Sequence, residues 1–253
     1  MEWRDEGVVL GVKKHGESSV IVELLTRAHG RHLGLVRGGR SARFQSLLQP
    51  GNSLLLDWRA RLDEHLGAYI VEPLTLRAGR LIGSALALHG LSYLGALVRL
   101  LPERDPHEVL YEALTVIVDH LDAVEVSPAL IARFEAHILA ECGFGLDLDK
   151  CAASGVREDL IYVSPKSGRA VSAAAGAPWR DKLLPLPAFL RGEEVSPRAA
   201  DITDAFRMTG YFLERDLFGP RGLPMPDARR AFLAAANSLL LARRGEGGRE
   251  AAG

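Results

Sequence analysis

Five short apolar or alternating runs fill the first 76 residues, and they limit the possible folds more than any other feature of the chain. The runs are "GVVLGVKKHG", "SSVIVELLTRAHG", "RHLGLVRGG", "NSLLLDWRARL" and "GAYIVEPLTL", broken by Gly, Asn, His and Pro at spacings of about ten residues. Five strands in so small a segment predict a small closed barrel. The OB-fold is the commonest five-stranded barrel with a nucleic-acid or oligosaccharide face. An SH3-like barrel stays open, because periodicity does not give strand order.

After Pro73 the texture becomes helical. Leu81, Ala85, Leu88, Leu91, Leu94, Val98 and Leu101 recur at three- and four-residue steps, which places them on one face of a long helix. "DPHEVL" predicts a helix start with Asp105 as cap and Pro106 in the first turn, and the pairs Ser127-Pro128 and Ser196-Pro197 repeat that signal. A last helix is predicted from about Asp227 to Ala242. Between the helices, "LIYVSPKSGRAVS" reads as two short strands around a turn. The expected class is α+β and multidomain. Residues 1–78 form the barrel, 79–243 a mostly helical domain with a β insertion at about 151–175, and 244–253 a disordered tail.

Local motifs argue against an enzyme. No Gly-Lys-Ser or Gly-Lys-Thr phosphate loop occurs, and "CGFGLDL" supplies only two glycines of a dinucleotide fingerprint. "HEVLY" at His107 has Tyr111 where a zinc peptidase needs its second histidine. No Gly-x-Ser-x-Gly elbow is present. His137 is read as a partly buried packing residue. Cys142 and Cys151 are the two cysteines; they cannot build a disulfide framework and suit a reducing compartment. "CAAS" places Ser154 where the second sulfur of a Cys-x-x-Cys pair would stand, so both cysteines are read as structural thiols and no metal is expected. The N-terminus lacks the pattern of a signal peptide, and no apolar run approaches a membrane span. A cytoplasmic protein is the expectation.

Charge is distributed unevenly. Residues 1–80 hold 12 Lys and Arg against 9 Asp and Glu, whereas the whole chain has formal charge −1. Arg27, Arg31, Arg37, Arg40 and Arg43 cluster in a stretch with no acidic residue between Glu23 and Asp57. An Arg presents five donors in a planar fork and keeps its charge near neutrality, which suits phosphate oxygens. Gly38 and Gly39 would let the backbone curve and a phosphate approach its amides. Among the barrel aromatics Trp3, Phe44, Trp58 and Tyr69, only Phe44 lies in the basic stretch, so base stacking should be a minor term and binding sequence-tolerant. Trp58 is expected in or near the barrel core. An edge strand protected from pairing by its charges would have the same composition. An adaptor barrel meeting RNA or an acidic protein, and a hydrolase with its site between the domains, also remain open.

In order along the chain, "KKHGESSVIVELLT", "HGRHLGLVRGGRS", "LLQPGNSLLL", "PALIARFEAHILAECGFGLDLDKC" and "YVSPKSGRAVS" resemble the bacterial DNA repair protein RecO family of recombination mediators. The resemblance implies an OB-fold that binds single- and double-stranded DNA and anneals complementary strands. It also implies cooperation with RecR in loading RecA onto strands coated by single-strand-binding protein, whose acidic C-terminal tail the helical domain would engage. Arg37 and Arg40 match the family's basic loop. Arg31, Arg43, Lys13, Lys14 and Phe44 join them as candidates by charge and neighbourhood, and Arg133 is the candidate for the tail. Many members carry four cysteines as a zinc site at a small ribbon. Only Cys151 stands there in this chain, so the resemblance implies a ribbon without its metal.

Overall fold

The structure, a computed structural model, describes residues 1–192 and 196–250, the last eight by their backbone path alone. Its N-terminal strands are β1 (Glu2–His15), β2 (Ser19–Thr26), β3 (Gly30–Val36), β4 (Ser53–Arg59) and β5 (Ala68–Thr75), with the short helix α1 (Ala42–Leu47) between β3 and β4. They close in the order β1-β2-β3-β5-β4. That order, with a helix between the third and fourth strands, is the OB-fold and removes the SH3-like alternative. β1 closes the barrel because its length lets it pair with β2 from Gly7 to His15 and with β4 from Glu2 to Val8. A bulge between Val9 and Gly11 marks where it bends. The inward residues Val22, Leu24, Leu54, Leu56 and Trp58 are all fully buried, as the alternating pattern requires.

Helices follow: α2 (Ala78–Leu81), α3 (Ala85–Val98), α4 (Glu108–Asp119) and α5 (Ser127–Glu141). A three-stranded sheet of β6 (Leu160–Val163), β7 (Ala170–Ser172) and β8 (Leu184–Pro185) has β6 at its centre. The small helix α6 (Ala173–Gly176) lies between β7 and β8. Then come α7 (Ala199–Phe212), which runs on into π-helical turns at Leu213–Phe218, and α8 (Asp227–Glu250). Helix starts differ from the Pro-based expectations in two places. α4 begins after His107 rather than Asp105, and α7 is capped by Arg198, whose amide donates to the Asp201 carboxylate at 2.8 Å. The predicted long helix begins at Ala85, capped by the Ser84 hydroxyl.

The chain forms two compact units. One comprises Met1–Ser127 with the segment from Pro226 onward, the other Pro128–Met225. The expected boundary at residue 78 therefore does not coincide with either unit. α3, α4 and α8 share the barrel's unit, and α8 packs along α3 with Phe232 fully buried. α8 also continues past Ala242 to Glu250, where a disordered tail was expected, and residues 251–253 lie outside the described residues. In the second unit, α5 and α7 supply Ile131, Phe134, Phe206 and Phe212 to the interior. His137 is exposed there, not partly buried as its sequence context suggested.

One buried side chain ties the barrel to its helices. Asn52 donates to the Ser46 and Leu47 carbonyls at 2.9 Å each, and its own oxygen accepts from the Arg77 and Ala78 amides at 2.8 and 2.9 Å. Its amide group is thereby satisfied at all four positions. Asn52→Ala should lower unfolding stability by about 3 kcal/mol, since buried partners left without a bond each cost about 1–3 kcal/mol. Urea titration would measure it, and a loss below about 1 kcal/mol would mean that water takes over the amide's role.

Candidate nucleic-acid interface

β3 ends at Val36 and the chain turns sharply through Arg37–Ser41 into α1. Gly38 sits at φ +67°, the left-handed region that glycine adopts without strain. Gly39 plays a different part from the one expected. A Cβ there would lie 2.5 Å from the Val20 side chain, so this glycine lets the loop pack down on the barrel and is buried. The loop is also clipped to the β1–β2 hairpin turn. The Arg40 amide donates to the Ser18 carbonyl at 3.0 Å, and the Arg40 guanidinium donates to the Gly16 and Glu17 carbonyls at 3.4 and 2.6 Å. Lys13 and Lys14 are exposed on that same hairpin, opposite Ile21 and Val20.

The remaining candidates separate by what holds them. Arg37 is exposed with no ion pair or hydrogen-bond partner among the described residues. Arg43 is exposed and lies over the ring of its neighbour Phe44, 5.7 Å from the centroid. Phe44 is half-buried against the barrel core. Arg31 departs from the expectation. Its guanidinium sits 3.1 Å from Glu23 and 3.3 Å from Glu103 with only 13% of the side chain exposed, so its charge is neutralised inside the fold. Arg40 remains in the basic loop, but part of its guanidinium is used as the clip.

Arg37, Arg43 and Phe44 form one wall of an open groove of about 740 Å³, whose other lining includes Arg59, Ala68, Tyr69, Ile70, Val71 and Glu72. Arg59 was not a sequence candidate. It lies outside the basic stretch, on β4, and only the barrel's closure brings it to the loop. Its own partner is the exposed Glu2 at 3.2 Å. Beneath the groove the Tyr69 hydroxyl and His32 Nδ1 are 2.6 Å apart. Burial pushes the Tyr69 hydroxyl well above its usual range and, with the Arg104 charge as a smaller second cause, brings His32 down to about 4. His32 is therefore neutral near pH 7 and adds no charge to the groove.

In the second unit, Arg133 donates through Nε and Nη2 to the Phe189 carbonyl at 3.2 and 3.0 Å, and its guanidinium lies over the Phe189 ring. Its first role is to brace the 3-10 turn Ala188–Arg191 against α5. A zinc ion at the ribbon would need three ligands besides Cys151. Cys151 is 1% exposed and its sulfur accepts from the Ser172 amide at 3.3 Å. Burial works to raise the thiol's pKa, but hydrogen bonds from Ser154 and Ser172 outweigh it and bring it below the ordinary value. No group of three or more metal-ligating side chains occurs among the described residues. One sulfur surrounded by hydroxyl and amide donors does not fit a tetrahedral zinc ion.

An OB barrel with a basic segment between β3 and α1 is the arrangement that the sequence resemblance implies. The family model described as "Recombination protein O N terminal" matches residues 1–80, and "Recombination protein O C terminal" matches residues 84–223. The chain belongs to the RecO family. A "DNA repair protein RecO" from Mesorhizobium japonicum is 61% identical over 236 residues, covering 93% of this chain and 93% of the relative. The protein of that name from Chelativorans sp. is also 61% identical, over 93% of this chain and 95% of its own, and that from Methylocella silvestris is 60% identical over 92% and 95%. The boundary between the two family models falls between residues 80 and 84, close to the barrel's end and not at the edge of either compact unit.

The depressed His32 pKa has a consequence for the barrel's stability. The unfolded histidine takes up its proton near pH 6.5 and the folded one only near 4. Between those values the unfolded state holds more protons, so stability falls as pH is lowered. The expected loss from this residue is on the order of 2 kcal/mol after allowing for solvent around the ring. Urea unfolding at pH 7 and 4.5 of the natural chain and of His32→Gln, which keeps a partner for Tyr69 without titrating, should show a smaller pH dependence in the variant. Equal pH dependence in both would remove His32 as its source.

Proposed function

We propose that this protein is a non-enzymatic DNA repair mediator that holds DNA strands by their phosphates and speeds the pairing of complementary strands. The reading is carried by Arg37 and Arg43. Both are exposed and neither has an acidic partner among the described residues; Arg37 stands on the β3–α1 loop of an OB barrel and Arg43 beside Phe44 in the first turn of α1. Guanidinia in that state can exchange water for phosphate oxygens without breaking an ion pair. Lys13 and Lys14 extend the cationic surface along the hairpin clipped by Arg40. Two strands neutralised on one surface repel each other less, and association accelerates. Annealing needs no bond made or broken in the protein and no nucleotide or metal. The RecO relatives, named as DNA repair proteins, support the same biological setting.

Within that setting, the chain would act with RecR to load RecA onto strands coated by single-strand-binding protein. It would meet the acidic tail of that protein through its second unit. Arg133 could contribute there only in addition to its bracing of Phe189, so a change at Arg133 alters the fold as well as any tail contact. Among the described residues no helix is long and apolar enough to cross a membrane. The cytoplasm is the compartment in which such a mediator would meet DNA.

Two outcomes follow for the purified chain. It should anneal complementary oligonucleotides in the presence of chelator and without nucleotide, as followed by fluorescence quenching; a strict requirement for ATP or zinc would refute the mechanism. Arg37→Ala combined with Arg43→Ala should flatten the slope of log affinity against log salt by about 1.4 on single strands and about 1.8 on duplex. Affinity should fall similarly for unrelated sequences. An unchanged slope in a folded double variant would place the DNA site elsewhere.

A further inference from the structure

The barrel closes between β3 and β5 at a single residue pair, Leu35 with Ala68 in parallel register. The Leu35 amide donates to the Gly67 carbonyl at 3.1 Å. This fixes which way β5 turns its main chain. Gly67, Tyr69 and Val71 direct their polar groups to the β3 side, while Ala68, Ile70 and Glu72 direct theirs to Arg59, Asp57 and Leu55 of β4. β3 stops at Val36, so the strand side beyond Tyr69 has no ladder partner there. Val71 has its side chain in the barrel core and is only 8% exposed, yet it lines the groove. Its main chain on that side carries no ladder bond to β3. Pro73, next in the same series, has no N–H, which is tolerated at an unpaired edge.

We propose that the groove between α1 and β5 receives an extended acidic peptide of a protein partner, which adds as a further strand on the Val71 edge. Its carboxylates would lie among Arg37, Arg43 and Arg59, and an apolar side chain would rest on Phe44 and Ile70. Ile70 is 60% exposed, an unusual position for an isoleucine on a small barrel. Three guanidinia against the single carboxylate of Glu72 make the lining cationic. The Arg59–Glu2 pair is no obstacle, since an ion pair exposed on both sides is readily exchanged. A strand edge offers alternating donors and acceptors, and another main chain matches both. A nucleic-acid backbone offers phosphate acceptors alone and would leave the Tyr69 and Val71 carbonyls unmatched. The peptide and DNA would share Arg37 and Arg43, so the peptide would displace DNA; that exclusion rests on the DNA reading above, whereas strand addition does not.

The test uses the full chain and a short blocked peptide alternating aspartate with valine and phenylalanine, followed by fluorescence anisotropy. Two further peptides carry N-methyl groups on the odd or on the even amides. The parent should bind, one methylated series should lose about tenfold or more while the other retains affinity, and Arg59→Ala should weaken the parent several-fold. The parent should also raise the apparent Kd of a labelled single strand in proportion to its concentration. Equal binding by all three peptides would mean attraction by charge alone and would overturn strand addition. Failure of the parent to bind a chain that still binds DNA would overturn the peptide site and leave the DNA reading standing. Peptide binding in a chain that does not bind DNA would do the reverse. Binding of both without competition would overturn the shared groove.

Discussion

The position of the basic loop depends on the buried amide of Asn52. Its two donors hold the end of α1, its oxygen holds the start of α2, and its own main-chain carbonyl accepts from the Val9 amide of β1 at 2.9 Å. Arg77 continues the network. It is 6% exposed and donates to the Ser53 hydroxyl and, across to α4, to Asp119 at 2.5 Å. That bond also holds the Asp119 carboxyl below its usual range. A buried polar network of this kind has one arrangement in which every member is satisfied, so it fixes the geometry more than it adds net stability. Arg43 and Phe44 ride on a helix of only six residues, which could not hold its place by packing alone.

Much of the barrel was legible because strand alternation and turn residues are local signals. The five predicted runs correspond to the five strands, and Trp58 is in the core as expected. Strand order was not legible from periodicity. It depends on the bulge that lets one long β1 serve both β2 and β4, which the resemblance anticipated and the residue pattern did not. Helix existence was readable, but helix ends shifted where Pro106 and Pro197 remained outside the helices they were expected to begin. The grouping of helices was hidden for a different reason. An apolar face such as that of α3 announces that it will be covered, not that Phe232 of a helix far along the chain will cover it.

The functional arginines show the same limit at the level of single side chains. Arg31 and Arg37 look equivalent in a stretch without acidic residues. Strand pairing makes them different, because Arg31 lies opposite Leu25 on β2 and so beside Glu23, while Glu103 arrives from the loop after α3. Arg37 stands past the end of β3, where no acid among the described residues comes within ion-pair distance. Conversely Arg59 had no claim from its sequence neighbourhood, since Asp57 is two residues away. Alternation puts Asp57 and Arg59 on one face of β4, and position along the strand separates them, since only Arg59 reaches the groove at the strand's end.

This explains how a chain of formal charge −1 can be suited to a polyanion. Several of its arginines are balanced where they stand: Arg27 by Glu6 and Glu112, Arg31 and Arg99 by Glu23, Arg77 by Asp119. Such pairs act as dipoles at a distance, and at physiological salt even a bare charge is screened over about 8 Å. The field a strand of DNA or an acidic segment meets is set by cations without a fixed carboxylate partner, and Lys13 and Lys14 on the hairpin, Arg37 on the β3–α1 loop and Arg43 in α1 gather such cations on one side of the barrel. Net charge therefore says little about the partner of a protein like this one. The decisive quantity is the number of uncompensated guanidinia within a screening length of one groove, and β-strand register settles that number.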